Sequence, residues 1–198
     1  MPFDLTHLIE AFGYLGIAVA VFAESGLFFG FFLPGDSLLF TAGFLASQGF
    51  LNIFFLIALT IGAAIIGDSV GYWFGKKIGP FIFSRPDSFW FSHKRVDDTN
   101  TFFTKHGAKS LILARFIPAV RTFTPILAGV AGMHYKNFLR YNIVGGILWG
   151  ALLPLGGYFL GRVIPNPDHY IIPIVLSIIV ISLLPLAYEL LRNRKIKT

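Results

Sequence analysis

Four charged residues stand out because the sequence around them is otherwise apolar: Glu24, Asp36, Arg115 and Arg121. At the centre of a membrane helix such a charge costs roughly 2.5 to 3.5 kcal/mol on insertion scales, so each should be paired or face water. Two carboxylates and two guanidiniums make a neutral quartet, and pairing would remove most of that cost. Arg115 and Arg121 flank Pro118 and present planar forks suited to a bidentate grip on phosphate or carboxylate. This chemistry favours an anionic head group as ligand. Glu24 and Asp36, partly withdrawn from water, would exchange protons and so couple movement to a proton gradient. The same quartet read structurally is an ion-pair network locking broken segments together, and a gating network would do both. Asp68, ahead of Ser69 and Gly71-Tyr72, is a fifth ionisable candidate, with snorkelling near a helix end as its alternative. Pro34, Gly35, Pro118 and Tyr72 are secondary site candidates, since they accompany the charges or the glycine motif that follows them.

Other chemistries find no footing. His7, His93, His106, His134 and His169 are scattered, with no His-Glu-x-x-His and no Gly-x-Ser-x-Gly turn. Gly71 to Lys76 is one residue short of a phosphate-binding loop and has no Ser or Thr after its lysine. With no cysteine, thiolate metal sites, disulfides and cysteine nucleophiles are excluded. The expectation is a non-enzyme without cofactor or metal.

The elements that must hold the quartet follow from composition. The 198 residues are 55% hydrophobic and 13% charged, which a soluble core of this size does not accommodate. Tyr141 to Gly161 and Tyr170 to Tyr188 carry no charge, and each is long enough to span a hydrocarbon core of roughly 30 Å. Leu8 to Ala23 is an apolar helix closed by Glu24, and its length leaves open whether it spans the membrane or lies at the interface. Leu27 to Phe50 is broken by Leu33-Pro34-Gly35-Asp36 and reads as a re-entrant hairpin, tolerable at membrane depth only inside protein or beside a wet cavity. Leu51 to Gly75 then crosses and stops at Lys76-Lys77. Ser110 to Gly132, interrupted by Arg115, Pro118, Arg121 and Pro125, is a second hairpin. Between them Lys76 to Lys109 reads as an aqueous loop, with a short surface helix expected around Val96, Thr99 and Phe103. The N-terminus lacks the basic region of a cleaved signal peptide, so all residues are expected in the mature chain.

An internal repeat orders these pieces. Ala42-Gly43 is followed 28 residues after its glycine by Gly71-Tyr72-Trp73-Phe74-Gly75-Lys76, and Ala128-Gly129 by Gly157-Tyr158-Phe159-Leu160-Gly161-Arg162 at the same distance. Small residues four apart at Gly26/Gly30, Gly71/Gly75, Gly146/Gly150 and Gly157/Gly161 point to close helix packing. The central loop holds seven Lys/Arg and the C-terminal tail four, so both are expected on the cytoplasmic side. That orientation inverts one repeat against the other, a transporter arrangement with its site at the repeat interface. The formal charge of +6 reflects these loops rather than nucleic-acid binding.

The expectation is an all-α polytopic membrane protein of two inverted repeats, each a re-entrant helical hairpin followed by a transmembrane helix. It forms a single domain over 1–198: repeat one about 24–77, cytoplasmic loop about 78–109, repeat two about 110–162, and a C-terminal transmembrane helix about 170–190.

Glu24 with Leu33-Pro34-Gly35-Asp36, Gly67-Asp68-Ser69-Val70-Gly71-Tyr72, Arg115-Phe116-Ile117-Pro118-Ala119-Val120-Arg121-Thr122, Ala128-Gly129 and Trp149 together resemble the DedA family, related to eukaryotic VTT-domain (SNARE-associated Golgi) proteins. The resemblance covers roughly residues 10 to 190. It implies a bacterial inner-membrane protein with two opposed re-entrant hairpins and a role in lipid transport. Members have been assigned to recycling of undecaprenyl phosphate, others to proton-motive-force-dependent homeostasis and resistance to cationic antimicrobials. The family's essential acidic pair maps onto Glu24 and Asp36 and its arginine pair onto Arg115 and Arg121. Ala119 stands where glycine is common and Asp36 where many members carry Glu, and paralogues share the motif, so the substrate stays open. The expected function is a flippase or scramblase for an anionic lipid such as undecaprenyl phosphate. A proton-coupled ion or small-solute transporter and a non-transporting scaffold are the alternatives. The expected partners are a membrane lipid, of polyprenyl phosphate type, and protons; homo-oligomerisation is left open.

Overall fold

The computed structural model describes residues 5–27, 35–83 and 109–163. Among these the chain is all-helical: α1 (Leu5–Gly26), α2 (Gly35–Ser47), α3 (Ile53–Phe83), α4 (Ser110–Ala114), α5 (Pro118–Val130) and α6 (Tyr135–Val163). Two of them are long and apolar enough to cross a membrane, α3 through Ile53–Gly79 and α6 over its whole length. Large apolar side chains such as Phe54, Leu113, Phe159 and Val163 stay exposed, a surface suited to hydrocarbon rather than to water.

The contacts fix the helix directions. Tyr14 of α1 meets Phe55 near the start of α3, with ring centroids 4.8 Å apart, while Gly26 lies against Gly67, so α1 and α3 run parallel. α2 runs parallel to α6, with Gly43 on Pro154 and Ser47 on Gly161, and α5 runs parallel to α3, with Gly71 on Pro125 and Gly79 on Val130. The long helices are antiparallel: Thr60 bonds the Gly150 carbonyl and Asn142 the Ile65 carbonyl. As a result α2 runs antiparallel to α1, and Glu24 near the end of α1 comes beside Asp36 at the start of α2, while Arg115 and Arg121 stand on either side of the break between α4 and α5.

The repeated glycines are where helices touch backbone to backbone. A β-carbon on Gly43 would strike the Pro154 carbonyl and one on Gly157 the Phe40 carbonyl; one on Gly129 would strike the Tyr72 carbonyl and one on Gly75 the Ile126 carbonyl. Close packing therefore accounts for them, as the small-residue spacing suggested. The short helix of each repeat packs on the long helix of the other.

Prolines set two further features. Ile117 precedes Pro118 and is extended (φ −110°, ψ 107°), the conformation a following proline imposes, and Pro118 then opens α5 at its first position. Pro154 lies inside α6 and has no N–H to give the Gly150 carbonyl one turn back. The Thr60 hydroxyl of α3, 3.0 Å from the Gly150 carbonyl and 3.0 Å from the Ile57 carbonyl of its own helix, is placed to supply the missing donor.

Several boundaries differ from the sequence reading. α1 does not close before Glu24 but continues through it to Gly26, because the carboxylate has a buried cationic partner and needs no water. α3 passes Lys76-Lys77 and ends at Phe83, and α6 begins at Tyr135 rather than Tyr141; lysine and arginine are good helix formers, and their long stems let the heads reach water from a continuing helix. Pro34, the expected surface helix of the central loop and the expected helix at 170–190 lie outside the described residues.

Candidate functional site

Arg121, one turn into α5, is the meeting point of three other helices. Its guanidinium pairs through Nη2 with Glu24 Oε1 of α1 and through Nη1 with Asp36 Oδ1 of α2. Trp149 of α6 donates its indole N–H to the same Asp36 oxygen at 2.8 Å, and its ring lies 4.7 Å from the guanidinium carbon. A desolvated cation over an indole face is stabilised by about 2 kcal/mol. Asp36 sits in the first turn of α2, the end of a helix that favours a carboxylate. Gly35 is required by its neighbour: a β-carbon there would collide with the Glu24 carboxylate. With all three groups ionised this cluster carries one negative charge in excess, which one proton cancels. Two of its buried atoms, Glu24 Oε2 and Arg121 Nε, have no hydrogen-bond partner among the described residues.

Arg115, in the turn between α4 and α5, is held differently. Its Nη2 pairs with Asp68 Oδ2 of α3 and donates at 2.6 Å to Asn142 Oδ1 of α6. Asn142 in turn donates from Nδ2 to the Ile65 carbonyl at 3.1 Å. The guanidinium lies across Gly145 and Gly146, where added β-carbons would stand 3.3 Å from its Nε and Nη1. One acid and one base, both buried, close this cluster at zero net charge.

Both arginines line one narrow cleft with Asp68, Leu111, Thr124, Pro125, Phe138 and Asn142. Its free space is about 10 Å³, enough for roughly one water. Apolar clusters flank the charges at either end, Val21, Leu39, Leu56 and Trp149 in one and Tyr72, Leu111, Ala128 and Phe138 in the other.

The quartet expected from sequence is thus divided. Glu24 and Asp36 both go to Arg121, while Arg115 takes Asp68, which is buried and paired rather than snorkelling. Tyr72 stands apart from the charges; its hydroxyl donates to the Met133 carbonyl and its ring stacks on Phe138 at 4.7 Å, which pins the start of α6. Pro118 contributes the restart of α5. Asn142 escaped the sequence reading, and Trp149 entered it only through the family resemblance. Their seven-residue spacing on one helix face, with Gly145 and Gly146 between, was the available signal. Among the described residues no group of three or more His, Asp or Glu side chains is placed to hold a metal ion.

Residues 33–159 match the VTT domain family. Protein DedA of Escherichia coli (strain K12) is 42% identical over 196 residues, 96% of this chain and 89% of that protein. An uncharacterized membrane protein of Mycobacterium leprae is 46% identical over 167 residues, covering 84% of this chain and 74% of its own. The inner membrane protein YqjA of Escherichia coli (strain K12) is 36% identical over 152 residues, 75% of this chain and 68% of that protein. No solved structure matches.

Proposed function

We propose a function on the premise of family: this chain belongs to the VTT domain family and is a DedA family membrane protein. Its task in this reading is to carry an anionic, phosphate-bearing lipid between leaflets, with polyprenyl phosphates such as undecaprenyl phosphate as the substrate class. The observation that carries the reading is the convergence of two buried guanidiniums in one cleft of an apolar protein. Arginine forks at such a place suit a phosphate, and the extra carboxylate beside Arg121 suits a proton carried with or against it. Nothing in this chemistry calls for a bond to be made or broken, so the role is a transporter's.

In the membrane frame that goes with this reading, α1–α2 and α4–α5 are re-entrant hairpins of two inverted repeats, entering from opposite faces. The charged residues then lie near the midplane, and the central loop and C-terminal tail face the cytoplasm of a bacterial inner membrane. The second reading, a proton-coupled ion or small-solute transporter, draws on the small size of the cleft.

Purified protein in liposomes is expected to move a polyprenyl phosphate between leaflets. Arg121→Ala should abolish this while the protein stays folded by circular dichroism and gel filtration. Full transfer by the variant removes the site assignment; transfer of a small anion but of no lipid favours the second reading. Collapse of an imposed pH gradient should slow transfer, and indifference to it would remove the proton role of Glu24 and Asp36.

A further inference from the structure

We propose that Asp36 is a stand-in for the substrate's anion: in the substrate-free protein it occupies the seat on Arg121 and Trp149 that a phosphomonoester head group takes. The inference rests on the transport reading above and names where the head group sits. It starts from an imbalance, two carboxylates on one guanidinium, and from the inequality of the two. The Glu24 side chain is 5% exposed and that of Asp36 is 42% exposed. Glu24 is enclosed by the interior, whereas Asp36 already stands at its edge.

The groups around Asp36 make an anion seat. One of its oxygens receives two donors from different helices, Arg121 Nη1 of α5 and the Trp149 indole N–H of α6. Both donors belong to buried side chains, 7% and 3% exposed, so the seat persists when its occupant leaves. A phosphomonoester offers three acceptor oxygens where a carboxylate offers two. The guanidinium still has an Nε–H without a partner among the described residues to meet the additional demand. When a phosphate oxygen takes the place of Asp36 Oδ1, Arg121 exchanges one anion for another and Glu24 keeps its pairing. The displaced carboxylate moves outward, the one direction in which its exposure lets it go. Arg115 has no equivalent vacancy to offer, because its acid is 10% exposed and its other acceptor, Asn142, is tied to α3.

The test uses Trp149 as reporter. The chain has three tryptophans, so Trp73→Phe with Trp90→Phe leaves the Trp149 indole alone. In detergent this protein is titrated with a short-chain polyprenyl phosphate and, separately, with inorganic phosphate, while emission is followed. Asp36→Asn removes the competing charge and should bind the lipid about tenfold more tightly, the scale of one charge-assisted hydrogen bond. Asp36→Glu keeps the competing charge and should show no such gain. A gain shared by inorganic phosphate assigns the seat to the phosphate alone, and a gain confined to the lipid assigns it to a tailed head group. Unchanged or weaker binding by Asp36→Asn overturns the proposal. If that variant does not fold, Trp149→Phe, which keeps a ring under Arg121 but loses the N–H, must weaken lipid binding measured by calorimetry, and undiminished binding overturns it equally. A parent protein that neither binds nor moves the lipid brings down the transport reading itself. A parent that moves the lipid while Asp36→Asn binds it no more tightly brings down the stand-in alone.

Discussion

Arg115 and Arg121 belong to one broken helical segment and line one cleft, yet their surroundings are opposites. Arg115 has one acid, one amide and a bed of two glycines, all buried, and its charge is matched. Arg121 has two acids, one of them partly exposed, an aromatic face, and a donor without a partner among the described residues. Residue type and depth are the same for both. What differs is whether a partner can leave, and that depends on exposure and on the count of opposing charges. Arg115 is arranged to stay and Arg121 to exchange.

The sharpest way to break this comparison is to truncate each arginine in turn. Arg115→Ala leaves Asp68 buried and without its cation, a loss of about 3 to 5 kcal/mol where one member of a buried pair is removed. Arg121→Ala leaves two carboxylates, but one of them is partly exposed and the pair can share a proton, so its stability loss should be clearly smaller. Transfer of lipid should be lost in Arg121→Ala despite the milder destabilisation. Thermal unfolding in detergent beside a leaflet-transfer assay gives both quantities. Adding Asp68→Asn to Arg115→Ala should recover part of the stability and none should be recovered by Asp36→Asn. Equal destabilisation by the two truncations would mean the arginines are alike.

A smaller effect tests the Arg121 cluster from the side of the backbone. Gly35→Ala sets a β-carbon against the Glu24 carboxylate, and overpacking of this kind costs about 1 to 3 kcal/mol. Glu24→Asp, one methylene shorter, should relieve the clash when combined with Gly35→Ala, so that the double variant unfolds at a higher temperature than Gly35→Ala alone. If the two changes simply add, Glu24 is not what Gly35 makes room for.

Much of this was legible in the chain, and the limits are physical ones. Uncharged runs announce membrane helices because bilayer thickness sets a length, and charges within apolar sequence announce a site because they are expensive there. Proline marked the α4–α5 break since it restricts the residue before it. The pairing was not legible. Which acid meets which arginine depends on how α3, α5 and α6 cross, and those crossings depend on backbone contacts at Gly43, Gly75, Gly129 and Gly157 that one-dimensional spacing does not orient. Asp68 therefore read as a residue near a helix end although it lies halfway along α3. Asn142 was hidden for a different reason: one amide in an apolar helix carries no charge to flag it, and its role comes only from what it touches.

The smallest effect concerns a polar contact that touches neither arginine, and it sets the baseline against which the two clusters are compared. The Thr60 hydroxyl lies 3.0 Å from its own helix's Ile57 carbonyl and 3.0 Å from the Gly150 carbonyl that Pro154 leaves without a helical partner. Thr60→Val should cost about 1 kcal/mol, the net scale of one hydrogen bond, with somewhat less expected among membrane helices. Lipid transfer should be unaffected once the protein is folded, in contrast to any change at Arg121. The cause can be isolated by repeating the substitution in a Pro154→Ala background, where the restored N–H can satisfy Gly150 from within α6. There Thr60→Val should cost less than it does in the parent, and the difference between the two is the coupling between threonine and proline. An identical cost in both backgrounds would show that Thr60 acts by packing against α6 and not by serving the broken backbone.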